Sequence, residues 1–337
     1  MRAVPNESSA PSSLSSLETS KHQPILVAPI VESLLAGVHD SLKISSPVQT
    51  QRQTVPPVIV DCTFGGGGHT RALLDAIQAD PVLNQVRVQV LGIDRDLSAI
   101  EAGRARFSQE LAEERLKLAH LPFSRVQSLC PQTGFSGVLA DFGFSSDQIE
   151  DPARGLSFLR EGPIDMRLDP SQSVTAATLL QQLDERALAD LFWKYGEERN
   201  SRRIAGLIVK ARREEGLPET TTGLAALISR AFPPKERHGR IHPATRTFQA
   251  IRIAVNQEME EIDALLSTLP QILALGGRAA ILTFHSLEDR RVKSAFRETP
   301  TLEALTRKPL IAEEQELSLN SRARSAKLRV ARRINPA

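Results

Sequence analysis

The chain has 337 residues, 41% of them hydrophobic and 24% charged, enough apolar side chain for a sizeable core and, at roughly 150 residues per domain, about two domains. Its 42 Lys+Arg against 40 Asp+Glu leave a net charge of only +2, so a nucleic-acid partner has to be argued from local clusters. Two cysteines, Cys62 and Cys130, exclude a disulfide framework and a Cys-rich zinc centre and point to a reducing compartment; no run reaches the ~18 apolar residues of a membrane span.

In chain order, residues 1–20 come first, with seven serines, two prolines and no helical or strand period. Such a segment cannot bury enough apolar surface to offset its ordering entropy, and it reads as a disordered tail. It lacks the apolar stretch of a signal peptide; poor in acid with Arg2 near its start, it leaves an organellar transit peptide as the alternative. Ser41–Pro57 reads as a long polar loop. Val58-Ile59-Val60 then runs into a glycine cluster, Val86–Ile93 ends at Asp94, and Leu116–Leu121 and Gly137–Ala140 follow, the second ending at Asp141. A fifth run, Ala279-Ala280-Ile281-Leu282, comes much later, after the Gly276-Gly277 turn. Strands of this length separated by helical patterns predict a parallel, doubly wound α/β sheet of Rossmann-like type. Ligands of such sheets bind beyond the carboxyl ends of the strands, where these acidic residues sit.

Between the fourth and fifth strands the period changes. Leu188, Leu191, Phe192 and Tyr195 fall at i, i+3, i+4, i+7; Ile204, Leu207, Ile208 and Ala211 repeat that spacing, as do Leu224, Leu227, Ile228 and Ala231. Three amphipathic helices without an intervening strand predict an all-helical insertion over residues 151–240, within a core of 21–150 and 241–337. Helices simply layered on the sheet are the plainer alternative.

The segment Asp61-Cys62-Thr63-Phe64-Gly65-Gly66-Gly67-Gly68-His69-Thr70 follows the first strand and opens a helix. A dinucleotide fingerprint needs G-x-G-x-x-G, but from Gly65 the last position is Thr70 and from Gly66 it is Arg71; a P-loop needs Gly-Lys-Ser/Thr, which is missing. What remains is an acidic strand end followed by G-x-G, the pattern of class I S-adenosyl-L-methionine (AdoMet) enzymes. Asp94, at the end of the second strand, is placed to accept hydrogen bonds from ribose hydroxyls. Asp141 and Gln148, after the fourth, are placed at the methionine end of the cofactor and the acceptor. A helix N-cap at Ser145 or Ser146 is the bland reading of that last segment.

At this point the sequence resembles the ribosomal RNA small subunit methyltransferase H family. The resemblance runs from His22 to about Ile334 and is carried by His22–Leu26, Thr63–His69, Arg154–Phe158, Gly162–Arg167, Tyr195–Glu198, His242–Ala250, Phe284–Arg290 and Arg322–Arg329. It implies a class I AdoMet-dependent methyltransferase fold with the helical insertion as substrate-recognition domain. The activity it implies is N4-methylation of a specific cytidine in 16S rRNA of the small ribosomal subunit, in the cytoplasm. It implies AdoMet contacts at Gly67, Gly68, His69, Asp94, Phe123, Asp141 and Gln148, with Phe123 against the adenine. Cys62 stands where a small residue such as Gly is usual, Phe142 where Leu is, and Asp147 where Pro is common; the loop Ser41–Pro57 is longer than typical. None of these removes a ligand-contacting side chain.

The cofactor brings the electrophilic methyl, so the difficulty lies with the nucleophile, a cytosine amine whose lone pair is delocalised into the ring. An oxygen that accepts the amino hydrogens would localise that pair and help remove a proton. Asp141 is the first candidate, Ser145 a support, and Asp165 or His285 weaker options. C5 methylation would need a thiolate near the acceptor, and neither Cys62 nor Cys130 is well placed.

Two basic clusters flank this edge. Arg322, Arg324, Lys327, Arg329, Arg332 and Arg333 share the last 20 residues with no acid, and Arg237, His238, Arg240, His242, Arg246 and Arg252 end the insertion. Alternation of Lys327 and Arg329 with Ala326, Leu328 and Val330 predicts a strand with one packed face and one charged face. Arg240, His242, Arg246, Arg322, Arg324, Lys327 and Arg329 are accordingly the candidate RNA contacts, with Trp193 as an outlying stacking candidate. The sequence assigns no metal and leaves the oligomeric state open, a homodimer included. A small-molecule methyltransferase and a non-catalytic RNA-binding assembly factor are the rival readings.

Overall fold

A computed structural model describes residues 24–45, 55–144, 146–237, 239 and 241–335. The tail at 1–20, part of the polar loop at 46–54, and Ser145, His238 and Arg240 lie outside the described residues. Seven strands, β1 (Val58–Asp61), β2 (Gln89–Asp94), β3 (Leu116–His120), β4 (Phe135–Asp141), β5 (Leu273–Thr283), β6 (Leu302–Ala304) and β7 (Lys327–Arg333), form one sheet in the order β3-β2-β1-β4-β5-β7-β6. The first five are parallel, as their apolar runs predict, whereas β7 runs antiparallel to both neighbours. The chain reaches β7 at the carboxyl edge, with Lys327 beside Thr283, and from there it can only run downward. The sheet is therefore mixed.

The helices are α1 (Val27–Ser45), α2 (Gly68–Ala79), α3 (Pro81–Gln85), α4 (Leu97–Arg106), α5 (Ser108–Ala112), α6 (Ser146–Glu150) and α7 (Ala176–Gln182). Then come α8 (Glu185–Gly196), α9 (Ser201–Glu214), α10 (Thr221–Ser229), α11 (Thr245–Val255), α12 (Glu258–Ile272), α13 (Ser286–Glu298) and α14 (Glu314–Leu319). Strand side chains alternate between two cores, Ile59, Val90, Leu139 and Leu328 packing with α1 and α2, and Val60, Leu91, Val138 and Ile281 with α12 and α13. Each fully buried Leu, Ile or Val contributes about 1.5–3 kcal/mol, so two-sided burial explains near-continuous apolar strands.

Two sequence expectations change here. The polar stretch from Ser41 is helical to Ser45, because Ile30, Leu34 and Val38 carry α1 across the sheet and Asp40 meets Arg278 at 2.7 Å. β2 starts only at Gln89, since Val86 caps α3 and Arg87 adopts a left-handed turn.

A third core joins α7, α8, α9 and α10, in the segment where the period changed. Its buried residues run from Leu156 to Val255 and so take in α11, whose Phe248 and Ile251 face this cluster. Packing therefore carries the helical layer past residue 240, because α11 is itself amphipathic toward α8.

Candidate active site

The site lies where the strand order reverses. From β1 and β4 the neighbouring connections depart to opposite sides, opening a crevice at their carboxyl ends. Asp61 closes β1 and is buried; its Oδ2 accepts the Thr70 hydroxyl at 2.7 Å and its Oδ1 the Thr63 N–H at 3.2 Å. That carboxylate ties both ends of the glycine turn together. Phe64 anchors the turn from within, edge-on to Phe107 at 5.7 Å between ring centroids. Gly67 bends the chain with φ 73°, and a Cβ there would strike the Phe107 ring at 2.6 Å. Its place is thus the bend itself; Gly65, Gly66 and Gly68 form the cavity wall. Of the two glycines expected at the ligand, Gly68 lines the cavity, and Gly67 forms the bend beside it, against Phe107.

Asp94, at the tip of β2, accepts the Gly65 N–H at Oδ2 and the Asp96 N–H at Oδ1, both at 2.8 Å. Burial pushes its carboxyl up to about 6, against the pull of these two hydrogen bonds. Each oxygen retains a further accepting position. Phe123, in the first turn after β3, is tilted against Phe142 at 5.5 Å. Gln148 donates from Nε2 to Asp96 Oδ2 at 3.0 Å, and Arg154 joins the same oxygen at 2.7 Å.

Asp141, at the tip of β4, is fixed by its backbone N–H, which donates to Thr63 Oγ1 at 2.7 Å. Its Oδ2 lies 3.8 Å from His69 Nδ1, too far for a hydrogen bond. His69 Nε2 donates to the Ile25 carbonyl at 2.9 Å. Burial pushes Asp141 up to about 7; His69 pulls it down, while Asp61 and Glu288 push it higher. Ser145, its expected support, lies outside the described residues. Asp165 is engaged by Arg167 at 2.7 Å. Burial there is outweighed by that guanidinium, which holds the carboxyl below its ordinary range. His285 does line the cavity, capping α13 and lying 3.1 Å from Glu288.

These groups surround a cavity of about 410 Å³, within the range of small-molecule sites. The wall also holds side chains the sequence did not single out for the cofactor site: Ile25, Phe144, Arg252, Glu258 and Glu288. Arg252 grips Glu258 with two hydrogen bonds of 2.7 and 2.8 Å and lies 4.6 Å over the Phe144 ring. Only the basic run around Arg252 signalled this pair. Among the described residues, Glu258, His285 and Glu288 form the one grouping of metal-ligand composition, with ligand atoms within 4.8 Å. Arg252 already supplies positive charge to it.

The expected RNA contacts divide. Arg246 is exposed, donating to the Glu197 carbonyl at 3.3 Å; His242 is exposed and stacks on Phe158 at 4.7 Å. Arg324 is exposed, and Arg322 lines the cofactor cavity. Arg329 is only 6% exposed, with Nε 2.7 Å from Asp289 Oδ1, and Lys327 reaches the other oxygen at 3.5 Å. The charged face of β7 is therefore covered: α13 lies across it and offers Asp289. Arg240 lies outside the described residues. Trp193 is 61% exposed, whereas Phe192 is core.

The cavity fits a nucleoside bearing a cationic sulfur. An aromatic flank, a strand-tip carboxylate with accepting positions to spare, a close-approach glycine turn and further buried carboxylates converge on it. With the 3-2-1-4-5-7-6 sheet, this defines a class I AdoMet-dependent methyltransferase. The chain belongs to the MraW methylase family, whose family model matches residues 19–334. It is 47% identical over 283 residues to the ribosomal RNA small subunit methyltransferase H of Sorangium cellulosum, covering 83% of this chain and 86% of the relative. The protein of the same name from Synechococcus elongatus is 44% identical over 277 residues, covering 82% and 88%. Among solved structures, an rRNA methylase from Streptococcus thermophilus matches with 10% identity and a TM-score of 0.36, over 83% of this chain and 87% of that one.

Proposed function

We propose that this protein transfers a methyl group from AdoMet to N4 of a specific cytidine in 16S rRNA of the small ribosomal subunit. The observation that carries it is the cavity at the strand tips, lined by Gly65, Gly68, Asp94 and Asp141, in a chain of the MraW methylase family. Bound there, AdoMet supplies an electrophilic methyl. Gly65, Gly66 and Gly68 give it room, Asp94 accepts from the ribose, and Phe123 flanks the base. Asp141 takes the amino hydrogen; its raised carboxyl is matched to proton transfer near neutral pH. His69, held by the Ile25 carbonyl, keeps an imidazole edge beside that carboxylate.

The helical layer of residues 151–240, with α11 packed onto it, is the substrate-recognition part; Arg246 of α11 and Arg324 near the start of β7 face the RNA. No described helix is long and apolar enough to cross a membrane; an rRNA substrate supports a cytoplasmic site of action. Two measurements test the reading. The first is mass-spectrometric mapping of rRNA from cells lacking the protein, where one N4-methylcytidine should disappear. The second is labelling of that rRNA by the purified protein with tritiated AdoMet. Unchanged rRNA in the first and no label in the second would sink it.

A further inference from the structure

A second cavity, of about 480 Å³, lies between α13 and the strand pair β6 and β7. Phe296, Leu302 and Ala304 form its apolar part; Lys293, Arg297, Arg307 and Arg329 line it with Thr306, and no carboxylate does. Lys293, Arg297 and Arg307 are exposed. The acids around them are committed elsewhere: Asp289 to Arg329 and Lys327, Glu303 to Arg332, Asp263 to Arg291. Glu298 ends α13 about 100° round the helix from Arg297. Three cations thus converge on one opening with no ion-pair partner among the described residues.

Their placement connects them to the active site. Ser286, Arg290, Lys293 and Arg297 fall at i, i+4, i+7 and i+11 of α13, one stripe of the helix. Its first turn carries Glu288 and adjoins His285, both in the wall of the cofactor cavity. The helix therefore starts at the cofactor cavity, and Arg297 lies about 16 Å further along it, at the second cavity; at the top of the stripe, on the face turned away from Glu288, Ser286 and Arg290 pair with Glu197. A few nucleotides of single strand cover that distance. Exposed cations beside a hydroxyl, without acid, match the phosphodiester backbone, and the apolar part leaves room for a sugar.

We infer that this cleft is a phosphate-binding site that holds the RNA backbone flanking the acceptor nucleotide, with Lys293, Arg297 and Arg307 as its contacts. The inference rests on the proposed rRNA substrate. The test is the triple variant Lys293→Gln, Arg297→Gln, Arg307→Gln, assayed on small ribosomal subunits from cells lacking the protein. Losing three phosphate contacts at ~0.7 each makes the log–log salt slope of binding shallower by about 2, and weakens affinity about a hundredfold near 0.1 M salt. AdoMet affinity and the single-turnover rate at saturating subunit stay at wild-type values, and a Lys/Arg-swapped triple variant retains binding. Unchanged subunit affinity and salt slope in the Gln variant, alongside a wild-type protein that methylates, overturns the cleft alone. A wild-type protein that labels no subunit overturns the substrate reading and the cleft with it.

Discussion

His69 and Asp141 face each other across 3.8 Å, with the far nitrogen of the imidazole tied to the Ile25 carbonyl. The tie fixes which edge of the ring meets the carboxylate, and the gap leaves that carboxylate free to take a hydrogen from a substrate amine. Asp141→Asn keeps the shape and loses the base. Single-turnover methylation is expected to fall 10²–10⁴-fold, with AdoMet affinity changed much less. A wild-type rate and affinity together remove Asp141 from the mechanism.

The same carboxyl dictates a pH profile. With Asp141 pushed up to about 7, kcat/KM should rise with pH through that value and then level off, because the ionised form is the acceptor. A bound sulfonium favours the ionised carboxylate, so the limb in kcat lies at lower pH. Coincident limbs contradict a site at which sulfonium and carboxylate are neighbours.

Burial of that acid also has a stability signature. A carboxyl raised on folding contributes stability that is complete below its unfolded value near 3.8 and is lost as pH rises through about 7. Asp141→Asn is exempt from this loss. The cofactor-free variant should melt above the wild type at pH 8, by on the order of 4 kcal/mol, with the gain vanishing toward pH 4. Calorimetric melts across that range decide it.

Asp94 governs the cofactor instead. It already accepts the Gly65 and Asp96 N–H groups, so it is oriented before any ribose arrives. Titration calorimetry should show AdoMet binding weakening as pH falls through about 6, where the carboxylate gains its proton. Asp94→Asn should weaken it about tenfold or more at pH 8, the loss of one charge-assisted hydrogen bond.

Asp61, Asp94 and Asp141 are legible in the sequence because an apolar run stopped by an acid, in a parallel sheet, marks a strand tip at the ligand edge. The glycine assignment is coarser. Four consecutive glycines announce a bend, but only the ring of Phe107, packed against it from elsewhere in the fold, decides that Gly67 turns the chain. The alternation over 326–330 reveals two unlike faces of β7, not what covers the second. That cover is Asp289, 40 residues earlier. Arg252 reads as one more basic residue in a run until Glu258 and Phe144 enclose it. Long-range electrostatic partners leave no periodic trace.

Asn256 joins the helical layer to the cofactor edge. It is fully buried between α11 and α12; its Oδ1 accepts the Leu168 N–H at 2.7 Å, and its Nδ2 donates to the carbonyls of Met166 and Arg252 at 2.8 and 2.9 Å. Its own carbonyl accepts from Arg95, the neighbour of Asp94, at 3.0 Å. One amide thus holds the strap 166–168, the base of Arg252 and the β2 tip in register. Asn256→Ala leaves the buried Leu168 N–H and Met166 carbonyl without partners, at about 1–3 kcal/mol each. The melting temperature should drop, and amide exchange at Met166–Leu168 should accelerate ahead of the sheet core. Asn256→Asp is the sharper probe: it keeps the acceptor but turns an oxygen on two carbonyls, so it should destabilise more than alanine above pH 7 and recover on acidification. Equal melting of the alanine and aspartate variants at pH 8 makes Asn256 a volume filler, and the coupling between strap and cofactor edge must then run through Arg154 and Asp96 alone.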